Sequence, residues 1–199
     1  MTPTTAFFGS FDEPDWVALK KATHAYRDGH YSQAMEQFKN LSEAGSLISN
    51  VYIGLMYELG LGVQKDITEA GKYFYKSAER NLPTAQFYIG ELERKLGDRE
   101  SAVAWHKIAA ENGLLPSMFA LYKIYNSDRK DEQNKVLAEY YLIEASKRGH
   151  VFAQKHHAIR MLRGLYGISK MPLGILFIIF SIIRGTTKLF QKKEPDLMY

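Results

Sequence analysis

The side chains best able to move protons or hold a metal near neutral pH are histidines, and the chain has six: His24, His30, His106, His150, His156 and His157. Only His156 and His157 are neighbours. On a helix adjacent residues point about 100° apart, so this pair cannot grip one ion together. No HExxH motif occurs. The glycines of Gly60-Leu-Gly62-Val63 lack the GK[ST] that a phosphate loop needs after them. No GxSxG nucleophile motif occurs. The carboxylate pairs Glu91 with Glu93 and Asp12 with Glu13 have no partner arrangement that marks acid–base catalysis. There is no cysteine, which removes disulfides, thiol nucleophiles and Cys-ligated zinc or iron. The sequence therefore assigns no catalytic residue, no metal ligand and no cofactor, and the expectation is a protein that is not an enzyme.

The elements along the chain are repetitive. Ala34, Ala70, Ala102 and Ala138 stand 36, 32 and 36 residues apart. Eleven residues after each stands Gly45, Asn81, Gly113 or Gly149. Gly and Asn tolerate the left-handed conformation that ends a helix, so each interval reads as a helix with its stop. Large residues follow the alanines by three or four: Phe38, Tyr73 with Phe74, Trp105, and Tyr141 with Leu142. A helix with its own small-residue mark precedes each of these, as in Ser49 to Ile53 and Gly54, or Ala85 to Ile89 and Gly90. Ala153 to His157 and Ala158 repeats that mark once more without a following partner. The expectation is an all-α, right-handed α-solenoid of about four antiparallel helix pairs plus a capping helix, about nine helices in all.

The stretch from Ile53 to Ala78, with Gly54, Tyr57, Gly60, Gly62, Val63, Asp66, Ala70, Tyr73, Phe74, Lys76 and Ser77, resembles a Sel1-like repeat, a relative of the tetratricopeptide repeats. The first and third repeats have the shorter tetratricopeptide-type turn, and the fourth has a longer turn without the glycines. The resemblance covers residues 16–164. It implies a protein-binding scaffold and does not name the partner. Some Sel1-type proteins have been credited with hydrolase activity, but those resemble disulfide-rich secreted chains, which this one does not.

In such solenoids the first helix of each pair lines a groove. Carrying the register along places Trp16, Tyr26, Arg27, Phe87, Arg94, Lys95, Phe119, Lys123, Phe152 and Lys155 on it. Aromatics give apolar contact with few rotamers to freeze, and Arg and Lys take carboxylates. The expected ligand is a peptide or helix with some negative charge.

The net charge of +4 is unevenly placed. Residues 1–150 carry 18 basic and 20 acidic side chains, net −2, and residues 151–199 carry 8 and 2, net +6. Both late acids, Glu194 and Asp196, follow the last base. Within this segment Leu173–Ile183 is uncharged: Leu173, Ile175, Leu176, Phe177, Ile178, Ile179, Phe180, Ile182 and Ile183 dominate it. Arg184, Lys188, Lys192 and Lys193 follow. With Met171 and Pro172 the run is thirteen residues, roughly 20 Å of helix against a hydrocarbon core of ~30 Å. Bases on both flanks and this short length favour a segment lying on or dipping into the cytoplasmic leaflet over one that spans it. The bases alternate with Ile, Leu and Phe, which suits lipid and argues against nucleic acid. The N-terminus has no basic, apolar leader of the export type. The expected plan is a flexible N-terminus (1–15), a repeat domain (16–164), a basic membrane-associating segment (165–193) and a tail (194–199). The expected role is an adaptor at the cytoplasmic face of a membrane, by resemblance the bacterial inner membrane, serving an envelope or polysaccharide complex. The alternative is a soluble adaptor whose apolar C-terminal helix docks into a partner subunit or a second copy.

Overall fold

The computed structural model describes residues 13–128, 130–167, 173–176 and 179. Among them run nine long helices: α1 (Trp16–Arg27), α2 (Tyr31–Glu43), α3 (Leu47–Leu59), α4 (Ile67–Ala78), α5 (Pro83–Leu96), α6 (Arg99–Glu111), α7 (Leu115–Ser127), α8 (Glu132–Lys147) and α9 (Val151–Leu162). They fall into two compact units, one ending at Asn112 with α1–α6 and one beginning at Gly113 with α7–α9. In each unit a helix packs against its neighbours in sequence, and in the first unit α3 also touches α5.

The helix boundaries follow from local chemistry. Asp15, Asp66, Asp98 and Asp131 accept hydrogen bonds from the first free amides of α1, α4, α6 and α8. Pro83 sits at the first position of α5, where its missing N–H has no helical partner to lose. The four stops occupy the left-handed region, with φ of 99° at Gly45, 60° at Asn81, 86° at Gly113 and 95° at Gly149. The Gly60–Gly62 turn reaches back over α2. A Cβ on Gly62 would lie 2.7 Å from Tyr31 Cβ and 2.9 Å from its carbonyl carbon, so only glycine allows this approach.

Packing repeats with the sequence. Ala34, Ala70 and Ala102 are 0% exposed and Ala138 4%. Four residues on, Phe38, Phe74, His106 and Leu142 are all fully buried. The third of these is a surprise, since Trp105 is the large residue that the sequence reading picks in that repeat. His106 fills the place held elsewhere by Phe or Leu, and it rests on Gly90: a Cβ there would lie 2.9 Å from the imidazole ring. Phe74 rests on Gly54 in the same way, 2.4 Å from a Cβ built on it. The alternation of glycine on a first helix and a ring on the second lets the backbones approach closely.

Buried polar groups lock the register. Ser42 Oγ donates to Asn50 Oδ1 (2.6 Å), Asn50 Nδ2 donates to Ser77 Oγ (3.0 Å), and Ser77 Oγ donates to the Leu47 carbonyl (2.9 Å). One buried amide thereby ties α2, α3 and α4. Asn112 Nδ2 donates to Gln86 Oε1 (3.0 Å), and Gln154 Nε2 to the Ser146 carbonyl (3.2 Å). Asn50, Gln86 and Gln154 each stand one residue after the small mark of a first helix.

In the second unit the chain beyond α9 is held back onto it. Arg160 pairs with Glu139 of α8 (2.5 Å), and the Tyr166 hydroxyl donates to the same carboxylate. The Tyr166 ring packs edge-on to His157 (5.2 Å). Residues 173–176 are helical, and Gly174 is buried. A Cβ on Gly174 would sit 2.9 Å from the Ala158 carbonyl oxygen and about as near to Leu162 and Met161.

Candidate functional site

In the first unit the first helices share a row of tyrosines. Tyr26 meets Tyr52 edge-on at 5.3 Å, Tyr52 stacks on Phe38 at 4.5 Å, and Tyr88 stacks on Phe74 at 5.3 Å. Burial raises the phenol pKa of all three, most of all for Tyr52 and Tyr88, so these hydroxyls stay protonated. Tyr26 is on the expected groove and is half-buried within this aromatic packing. Tyr52 and Tyr88 are not on it, although each stands three residues after the small mark of its helix. That spacing was the available signal.

Two of the three expected groove cations of this unit, Arg94 and Lys95, are already occupied. Lys95 pairs with Glu58, whose side chain is only 8% exposed. Arg94 pairs with Glu91 at 2.8 Å through Nη2. Glu91 also faces the buried His106, Oε1 to Nε2 being 3.4 Å. Phe87 is half-buried, edge-on to Tyr88 and tilted against His106. Trp16 is 38% exposed at the start of α1, and Arg27 is exposed at its end. Here acid and base balance one another along α3 and α5.

The second unit differs. Phe119 of α7 lies among four rings: His150 stacked at 4.8 Å, Phe152 stacked at 6.3 Å, His156 edge-on at 5.4 Å and Tyr122 tilted at 5.5 Å. Lys123 Nζ stands 5.8 Å over the Phe119 ring, within cation–π reach. Phe152 is 48% exposed, and Lys123 and Lys155 are exposed beside it. The four expected residues Phe119, Lys123, Phe152 and Lys155 thus come together around His150 and His156, which the sequence reading did not select. Neither α7 nor α9 contains an Asp or Glu. Among the described residues, Lys123 and Lys155 have no carboxylate partner.

Tyr122 Oη and His156 Nδ1 are 3.3 Å apart. Burial first, then the charges of Lys155 and Arg160, hold His156 below the ordinary histidine range. Burial, Arg160 and Lys147 do the same to His157. Both rings are therefore neutral at pH 7, and the positive charge of this face comes from lysine. An aromatic floor with unpaired ammonium groups suits an apolar segment that also carries carboxylates.

Of the expected membrane-associating residues, Leu173, Ile175, Leu176 and Ile179 are described, and each is 44–57% exposed. Phe177, Ile178, Phe180, Ile182, Ile183, Arg184, Lys188, Lys192 and Lys193 lie outside the described residues. No described helix is long and apolar enough to cross a membrane. No described group of three or more His, Asp or Glu side chains is placed to hold a metal ion.

The Sel1 repeat family model matches residues 48–82, 83–114 and 127–150. Over those stretches the chain is similar to Sel1 repeats. A Sel1 repeat protein from Oxalobacter formigenes superposes with a TM-score of 0.72 over 92% of this chain and 78% of its own, at 24% identity. A protective antigen of uropathogenic Escherichia coli with an SLR fold gives 0.66 at 19% identity, over 85% of this chain and 38% of its own. An immunity protein from Pseudomonas aeruginosa gives 0.53 at 20% identity, over 71% and 59%. Such likeness establishes an all-helical Sel1-type solenoid fold. Sel1 repeats generally mediate protein–protein interaction, and the Sel1-like repeats here span both units.

Proposed function

We propose that this chain is a non-catalytic scaffold whose α7–α9 face takes a partner protein segment bearing carboxylates beside an apolar anchor. The observation that carries the reading is the acid-free pair of helices α7 and α9, which carry the stacked Phe119 and Phe152 together with the exposed Lys123 and Lys155. The apolar part of a ligand covers the Phe152 ring, which is half exposed. Its carboxylates meet ammonium groups that have no carboxylate partner among the described residues. On this reading Arg94 and Lys95 of α5 contribute little, since Glu91 and Glu58 neutralise them.

The second half of the proposal is location. The C-terminal segment holds the scaffold at the cytoplasmic face of a membrane, where it serves an envelope or polysaccharide complex. The exposed Leu173, Ile175, Leu176 and Ile179 and the bases at 184–193 support this half.

Fluorescence anisotropy with a panel of labelled peptides tests the first half. Peptides pairing aromatic and acidic residues should bind, more weakly as salt rises. K123E with K155E should weaken binding about tenfold or more, since charge reversal at two contacts costs at least about 1.4 kcal/mol. R94E should leave it within about twofold. Equal binding of amidated, charge-free peptides would overturn the reading.

A further inference from the structure

The alanine series does not stop at Ala138. Thirty-six residues on stands Gly174, repeating the spacing of Ala34 to Ala70 and of Ala102 to Ala138. Gly174 is also 21 residues after Ala153, as Ala70 is after Ser49 and Ala138 after Ser117. Large residues follow at the third and fourth positions, Phe177 and Ile178, and a glycine, Gly185, follows at the eleventh. In sequence this is the second helix of a fifth repeat, the partner that α9 otherwise lacks.

The geometry agrees at the one position that tests it. Gly174 is buried against α9, so close to Ala158, Met161 and Leu162 that a Cβ would need them to move. On a helix, Leu173, Ile175, Leu176 and Ile179 fall on the arc opposite Gly174. All four are exposed, by 44%, 54%, 57% and 49%. Among the described residues of the run, Gly174 meets α9 and the other four point outward. Of the corresponding positions of α2, Gln33, Glu36 and Lys39, which match Leu173, Leu176 and Ile179, are polar and exposed, whereas Met35, which matches Ile175, is buried. A terminal repeat of a soluble solenoid needs a polar outer face.

We propose that the helix around Gly174 completes a fifth repeat on α9 and that its outer face, Leu173, Ile175, Leu176 and Ile179, rests on an anionic membrane surface without crossing it. This rests on the membrane half of the proposed function and says how the contact is made. Charge selects the occupant. Residues 151–193 hold eight bases and no acid, which complements anionic headgroups. A second copy of the same segment would bring like charge to like charge.

Sedimentation of the full chain with vesicles of phosphatidylcholine, with and without phosphatidylserine, is the test. Binding should require phosphatidylserine, weaken in high salt, and fall about tenfold or more for L176E with I179E, each removing an exposed branched side chain that the membrane surface would cover. G174L should lower the melting temperature without vesicles present, because its side chain meets the backbone of α9. An unchanged melting temperature would overturn the fifth-repeat closure, whatever the vesicles do. Resistance of membrane-bound protein to carbonate extraction would overturn the surface-lying geometry and leave membrane association standing. Failure to bind either vesicle would overturn both, and light scattering on the same samples would show whether L176E with I179E dissolves a dimer instead.

Discussion

Glu58 and Lys95 show how a charge at a single position changes meaning once its partner is known. Glu58 is nearly buried on α3, and Lys95 of α5 compensates it. Lys95→Ala leaves that carboxylate without its cation, and should cost about 1 kcal/mol, below the cost for a fully buried pair because Lys95 is half exposed. Arg94→Ala should cost less, since both Arg94 and its helix neighbour Glu91 reach solvent. Urea unfolding of the two variants checks the order. The histidines of α9 set a pH dependence. His156 and His157 have lowered pKa values in the folded chain, so the unfolded chain takes up their protons first as pH falls. Their contribution is intact above about pH 6.5 and is lost progressively below it. Melting temperature should therefore drop between pH 7.5 and 5.5, and H156Q should flatten part of that drop. A drop that is identical in H156Q would locate the effect elsewhere.

At the scale of elements, the repeat is a device for close approach between paired helices. Gly54 faces Phe74 and Gly90 faces His106, each without room for a methyl group. Gly54→Ala should destabilise by about 1–3 kcal/mol, the usual range for overpacking. Combining it with Phe74→Leu should recover part of the loss, because the two residues share one space. Additive losses in a double-mutant cycle would contradict that account. The stops at Gly45, Asn81, Gly113 and Gly149 were legible because a left-handed residue leaves a composition mark at fixed spacing. His106 was not legible as a core residue. Its type signals chemistry, and only the cavity over Gly90 shows that the repeat uses it as a ring-shaped filler.

For the molecule as a whole, charge is distributed by role. In the first unit Arg94 and Lys95 of α5 pair with Glu91 and with Glu58 of α3, whereas α7 and α9 have no acid. Partner binding should accordingly track the second unit. F152A should weaken capture of an acidic, aromatic peptide about tenfold, since an exposed aromatic anchor is a common hot spot. Its melting temperature should stay near that of the parent, because Phe152 is half exposed. An anisotropy titration and a melting curve on the same sample separate lost contact from lost fold.

Sequence alone determined the helix pairs, their period and their stops, because periodic burial and left-handed caps are local demands that leave residues at fixed intervals. It also determined the absence of cysteine chemistry and the division of charge along the chain. Tertiary structure alone decided which charges remain available. Arg94, Lys95, Lys123 and Lys155 look alike in a string of letters, and their meaning depends on whether a carboxylate from another turn or helix stands within about 4 Å. It decided, too, that Gly174 is a contact and not a flaw in a greasy run, since glycine is informative only when something lies where its side chain would be.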